Sequence, residues 1–147
     1  MTDIRATPYQ IFKKSAAARF TLEKPKEEFK VGCIYMQVAP SKGKVDDNNT
    51  YDWENKKISV KFGINDISKL NYNVSVGLET ELFHDFNDSQ KMVKFTPKEG
   101  GGFFLQVTEV NKSAGTKQTI SVPISQEEAS TLASLFFHAI PLIHNWR

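Results

Sequence analysis

The chain is poor in the residues on which most site chemistry depends. It has one cysteine, Cys33, and three histidines among 147 residues. A lone thiol excludes an internal disulfide and any cysteine-based zinc site, and Cys33 reads as a small side chain buried in a strand. His138 and His144 lie six apart on a stretch of helical pattern, off the spacing of helical ligands, and His84 falls in a strand pattern. No metal and no cofactor is therefore expected. No apolar run approaches the roughly 18–20 residues of a membrane span. No charged segment leading into an apolar one opens the chain, so no secretory signal is expected and the protein reads as soluble and intracellular. Composition leaves open whether the compartment is an organelle (mitochondrion or plastid) or a bacterial or phage-host cytoplasm. The net charge is only +2, which excludes a polycation of the histone or ribosomal-tail kind. Catalytic motifs are missing too. Gly100-Gly101-Gly102 lacks the following Lys-Ser/Thr of a phosphate loop and reads as a hairpin turn. His84-Asp85 has no companion nucleophile or second base and reads as a local hydrogen bond. Nothing points to an enzyme.

What is present suits one domain spanning residues 1–147, since 39% hydrophobic residues supply one core and not two. Charge is uneven: residues 1–75 carry 13 Lys and Arg against 9 Asp and Glu, whereas residues 76–147 carry 6 against 8. The first half is therefore the basic one. Extended patterns cover Tyr9 to Leu22, Val31 to Ala39 and Tyr51 to Phe62, with a loop predicted from Pro40 to Asn49. Asn65 or Asp66 is placed to cap a short helix ending near Leu70. Four further strands are predicted over Val76–Phe83, Lys91–Pro97, Phe103–Asn111 and Lys117–Pro123. Ser125 with Glu128 three residues on is a capping box that opens a helix to about His144, with Pro141 kinking its last turn. The expected class is α+β, a duplicated unit of four strands and a helix.

A basic sheet bearing aromatic rings is the chemistry of single-stranded nucleic-acid binding, because cations neutralise phosphates and rings stack on unpaired bases. The candidate contacts are Lys13, Lys14, Tyr35, Gln37, Lys57, Lys61, Lys94, Phe104 and Gln106. The small residues Ser15 to Ala18 would give a flat surface for a backbone to approach. The competing reading makes Phe104 a core residue and the lysines a solvated face, as on many antiparallel sheets. In the last helix, a stripe facing its own sheet would use Leu132, Leu135, Phe136, Ala139 and Ile143, leaving Phe137 and Ile140 for another surface. Phe137, Ile140 and Leu135 are the oligomerisation candidates; burial of the helix on all sides is the alternative.

Five motifs in order resemble the Whirly family of single-stranded DNA-binding proteins from Tyr9 to Trp146. They are Lys13-Lys14-Ser15-Ala16-Ala17-Ala18, Tyr51-Asp52-Trp53, Glu81-Leu82-Phe83-His84-Asp85, the stretch from Gly100 to Lys112, and Ile140-Pro141-Leu142-Ile143-His144-Asn145-Trp146. The resemblance implies two four-stranded antiparallel sheets packed roughly perpendicular, each followed by a helix, and a four-fold homotetramer around the C-terminal helices. It also implies sequence-tolerant binding of single-stranded DNA in transcription, replication, repair or genome maintenance. Ser15 and Ala18 depart from the family's Lys-Gly-Lys-Ala-Ala-Leu signature. Related folds include mitochondrial guide-RNA-binding proteins, so RNA is the nearest alternative partner. A non-catalytic protein-interaction scaffold is the alternative from another class.

Overall fold

Residues alternate inward and outward along the N-terminal strands, and that pleat assembles the first sheet. The computed structural model of the protein describes residues 6–146, so residues 1–5 and 147 of the expected domain lie outside the described residues. β1 (Tyr9–Phe12), β2 (Ala16–Glu23), β3 (Cys33–Val45), β4 (Asn48–Tyr51) and β5 (Ile58–Phe62) pair antiparallel in one sheet. β3 is 13 residues long. Its first part is sandwiched between β2 and β5, and its last part, from Ser41 to Val45, pairs with β4. α1 (Ile64–Val76) crosses to the second sheet, an antiparallel meander of β6 (Thr80–Phe86), β7 (Ser89–Pro97), β8 (Phe103–Asn111) and β9 (Thr116–Ile124). α2 (Gln126–Ile143) follows. Two antiparallel sheets, each followed by a helix, are thus as the sequence led us to expect, with a fifth strand added to the first.

The inner faces share one core. Met36, Val38 and Phe62 of the first sheet, Phe95 and Leu105 of the second, Leu70 of α1 and Phe136 of α2 belong to one continuous buried cluster. β9 lies against β2 and β3, and α1 against α2. Burying each such side chain contributes about 1.5–3 kcal/mol, which fixes the register of every strand and with it the outward set.

Several boundaries differ from expectation. Pro40–Asn49 is not a loop: Asp46 and Asp47 alone turn the chain, at φ 51° and 63°, and the residues on either side pair as an exposed two-stranded arm. Conversely, Tyr51–Phe62 is not continuously extended, because Asp52 accepts the Asn55 amide at 2.9 Å and folds the segment before β5 into a turn. α1 is capped by Gly63 and not by Asn65 or Asp66, and it runs to Val76, which is helical and not the start of a strand. Lys13 and Lys14 sit in the β1–β2 turn and not on a strand. Pro141 is carried inside α2.

The Ser125–Glu128 capping box forms as expected: Glu128 N–H donates to Ser125 Oγ at 3.1 Å, and Ser125 N–H donates to Glu128 Oε1 at 2.9 Å. Lys13 Nζ adds an ion pair to the same carboxylate at 2.7 Å, tying the β1–β2 turn to α2. Partial burial pushes the Glu128 carboxyl up, but the bonds from Lys13 and Ser125 outweigh it and hold it below its ordinary 4.5. A depressed folded value means stability that is fully present above 4.5 and lost as pH falls through the folded value. Glu128→Gln keeps the shape of the cap and removes the charge. Its melting temperature should lie below that of the wild type at pH 7, and the gap should close in acid; a gap indifferent to pH would show that the ion pair contributes nothing.

Candidate nucleic-acid interface

The outward side chains of the first sheet form a polar and aromatic surface whose order follows from the pairing. Gln10, Arg19, Gln37 and Ser59 stand in one cross-strand row, and Thr21, Tyr35 and Lys61 in the next. Arg19 donates through Nε and Nη2 to Gln37 Oε1 at 3.1 and 2.8 Å, and Gln37 Nε2 donates to Ser59 Oγ at 3.3 Å. The Arg19 guanidinium also lies 4.1 Å from the ring centre of Trp53, which folds back from the turn after β4. Beside it Phe12 stacks on Tyr51 at 5.6 Å with 29° between the rings, and the Tyr51 hydroxyl donates to the Lys13 carbonyl at 2.6 Å. A planar cation, a lysine and four aromatic rings thus share one face. Among the described residues neither Arg19 nor Lys61 is ion-paired to a carboxylate.

The second sheet's outward face is electrostatically different. Lys94 lies 3.5 Å from Glu79 and 3.4 Å from Glu81, and Glu79 foremost raises its pKa. Lys112 faces Asp85 at 3.6 Å, whereas Lys91 and Glu109, 3.7 Å apart, belong to the inward register at the edge of the sheet junction. Phe104, Gln106 and Phe83 point outward here, with Phe104 52% exposed and the Lys98 ammonium 5.3 Å from its ring centre. At the junction of the sheets a groove of about 570 Å³ is lined by Tyr35, Ser59, Lys61, His84, Phe86 and Lys91, and Lys91 bonds across it to the Ser59 carbonyl.

The structure divides the sequence candidates. Tyr35, Gln37 and Lys61 come together on the first sheet; Lys94, Phe104 and Gln106 lie on the other face. Lys57 is exposed in the turn before β5, whose Lys56 carbonyl accepts from Gln118 of β9 at 2.8 Å. Lys14 is exposed, whereas Lys13 is taken up by Glu128. Phe104 is not core. Ser15–Ala18 is not an open flat surface, because Ala16, Ala17 and Ala18 are all buried. His84 does not bond locally to Asp85: its Nε2 reaches Asp66 Oδ2 of α1 at 2.8 Å, joining β6 to that helix. Sequence reasoning missed Arg19, Phe12 and the ring of Trp53 as members of the face. The motif Tyr51-Asp52-Trp53 was visible, but its position over Arg19 depends on the turn at Asp52. Among the described residues no cluster of three His, Cys, Asp or Glu side chains could hold a metal ion, and no helix is long and apolar enough to cross a membrane.

Comparison with known proteins places this architecture. The residue pattern of the Whirly transcription factor family matches residues 11–135. The chloroplastic single-stranded DNA-binding protein WHY1 of Arabidopsis thaliana is 30% identical over 127 residues, covering 80% of this chain and 45% of that protein. The chloroplastic single-stranded DNA-binding protein WHY3 of Arabidopsis thaliana is 28% identical over 128 residues, with the same coverages of 80% and 45%. The chain therefore spans about half the length of the curated relatives it matches. The crystal structure of Arabidopsis thaliana WHY1 superposes with a TM-score of 0.85 at 25% identity, covering 99% of this chain and 89% of that one. The Trypanosoma brucei MRP1/MRP2 structure shares the fold more distantly, with a TM-score of 0.57 at 17% identity and 92% of each chain covered. With the family pattern spanning most of the sequence and the fold matching throughout, the chain belongs to the Whirly family.

Proposed function

We propose that residues 1–147 form a single non-catalytic domain that binds single-stranded DNA with little regard to sequence. The observation that carries this reading is the outward face of the first sheet, where Arg19 and Lys61 have no carboxylate partner among the described residues and stand among Tyr35, Trp53, Phe12 and Tyr51. Unpaired cations gain by neutralising phosphates, and exposed rings gain by stacking on unpaired bases whatever their identity. No helix is offered to a major groove from this face, so duplex has no reader here. The relatives' names point the same way, and action in transcription, replication, repair or genome maintenance inside the cell follows from it. Lys14, Lys57 and Lys61 are the proposed phosphate contacts, with Arg19 added; Tyr35 and Trp53 are the proposed stacking surfaces. Lys13 and Lys94 move to the periphery because acidic side chains already compensate them.

The proposed assembly is a four-fold homotetramer around α2. Leu132, Phe136, Ala139 and Ile143 face the protein's own core, whereas Leu135 is 42% and Phe137 63% exposed and Ile140 is half-buried. Leu135 thus leaves the inner stripe in which the sequence placed it. Phe137 with Ile140 lies on one flank of that core stripe and Leu135 on the other, and exposed apolar side chains such as these are the proposed docking residues.

Titration of the full chain with matched single-stranded DNA, single-stranded RNA and duplex tests the ligand. Single-stranded DNA should bind best; tighter RNA binding would favour the RNA reading, and salt-insensitive or absent binding the scaffold reading. Replacing Lys57 and Lys61 with Ala should weaken all sequences alike and flatten the log K against log salt slope by about 0.7 for each phosphate no longer neutralised. Lys94→Ala should leave that slope unchanged. Tyr35→Ala should cost on the order of 1–3 kcal/mol of binding with little change in melting temperature. For assembly, sedimentation equilibrium should give four chains for the wild type and fewer for Phe137→Asp; a wild-type mass of one chain at micromolar concentration would sink the tetramer.

A further inference from the structure

The loop from residue 24 to residue 32, between β2 and β3, carries a side chain that its own protein does not use. Phe29 is 95% exposed, the most exposed of the large apolar side chains among the described residues, and it sits at φ 63° in the left-handed region. A bulky residue there is strained, and no packing among the described residues offsets the strain. The tip is not simply loose, because the root of the loop is tied down. Gly32 N–H donates to the Ile143 carbonyl at the end of α2 at 2.8 Å, and a Cβ at Gly32 would collide with the Glu23 carbonyl oxygen. Lys30 N–H closes the tip onto the Glu27 carbonyl at 3.3 Å.

The loop also continues the face already described. A concavity of about 300 Å³ lies between it and the sheet, walled by Lys24, Lys26 and Lys30 from the loop and by Tyr35 and Lys61 from the strands. Those four lysines exceed the two acidic residues on the same wall, Glu23 and Glu27, so the surface favours an anion. A single strand crossing the Arg19 row and then the Tyr35 row, parallel to β3, would meet Lys61 and the loop at this end.

We propose that the β2–β3 loop is a second stacking station for single-stranded nucleic acid. Phe29 takes one base as the strand leaves the sheet, and Lys24, Lys26 and Lys30 take the phosphates around it. The proposal rests on the single-strand-binding reading above and extends the length of strand that one protomer holds. With the loop backbone already anchored, stacking of the exposed ring on a base has less chain freedom to remove, and a π-face accepts any base.

Affinity measured against oligothymidylate of increasing length tests it, with wild type, Phe29→Ala and Tyr35→Ala compared. Phe29→Ala should match the wild type on the shortest oligomer that binds and fall about 5-fold to 150-fold behind on longer ones. Tyr35→Ala should be weaker at every length. Phe29→Trp should restore the length dependence, and its added indole emission should be quenched by the longer oligomers only. If Phe29→Ala equals the wild type at all lengths while Tyr35→Ala is impaired, the loop station is wrong and the sheet site stands. If the wild type binds no single strand at any length, both fall. A change in sedimenting mass for Phe29→Ala would overturn the proposal by making the loop a contact between copies.

Discussion

The pleat of β3 divides the molecule into an inside and a working outside. Ile34, Met36 and Val38 point to the core and are almost fully buried, so Tyr35 and Gln37 have no choice but to face out. A slip of one residue against β2 or β5 would bury Gln37 and expose Met36, and the cost of that exchange locks the row Arg19–Gln37–Ser59 in place. Because β3 is long, it also sends its far end into the exposed arm with β4, and the return of that arm brings Tyr51 and Trp53 back over the sheet. One strand thus orders both the polar rows and the rings beside them.

Charge compensation, more than the number of lysines, separates the two outer faces. Both sheets expose aromatic rings and both carry lysines. On the second sheet Lys94 and Lys112 are engaged by neighbouring carboxylates, which a phosphate would have to displace before gaining anything there, while Lys98 rests over the Phe104 ring. On the first sheet Arg19 is held by a neutral amide and an indole ring, which orient it without cancelling its charge. Arginine suits this role because its planar guanidinium can lie on a ring and still present free N–H donors.

Much of the fold was legible in the sequence, because hydrophobic period and capping residues are local. Phe103–Asn111 and the Ser125 cap were placed correctly from pattern alone. The errors occur where tertiary context decides. Two aspartates sufficed for a turn that composition spread over ten positions, and α1 extends beyond Leu70 because its later turn buries Val74 against the core. The candidate site was only half legible. Alternation put Tyr35, Gln37 and Lys61 on a common face, but it carries no information about which carboxylate lies beside Lys94 or which ring covers Arg19. Small residues read differently in the fold as well: Ala16, Ala17 and Ala18 are packed within the chain and do not form an open surface.

The two helices extend the same division to the scale of the particle. α2 turns Leu132, Phe136, Ala139 and Ile143 inward and leaves Leu135 and Phe137 exposed on opposite flanks of that core stripe, as its period of 3.6 requires of residues two apart. The outward rows of the first sheet belong to a surface formed by strands, and Leu135 and Phe137 belong to a helix that those rows do not use. The proposed assembly through α2 and the proposed binding through the sheet therefore draw on different residues. A single face with a few unpaired cations and rings supports only modest affinity, since each contact carries a small share and salt screens the ionic part. Joining several such faces on one particle raises the effective concentration of each for a strand already held by another, and the gain comes from geometry without any new contact on the face.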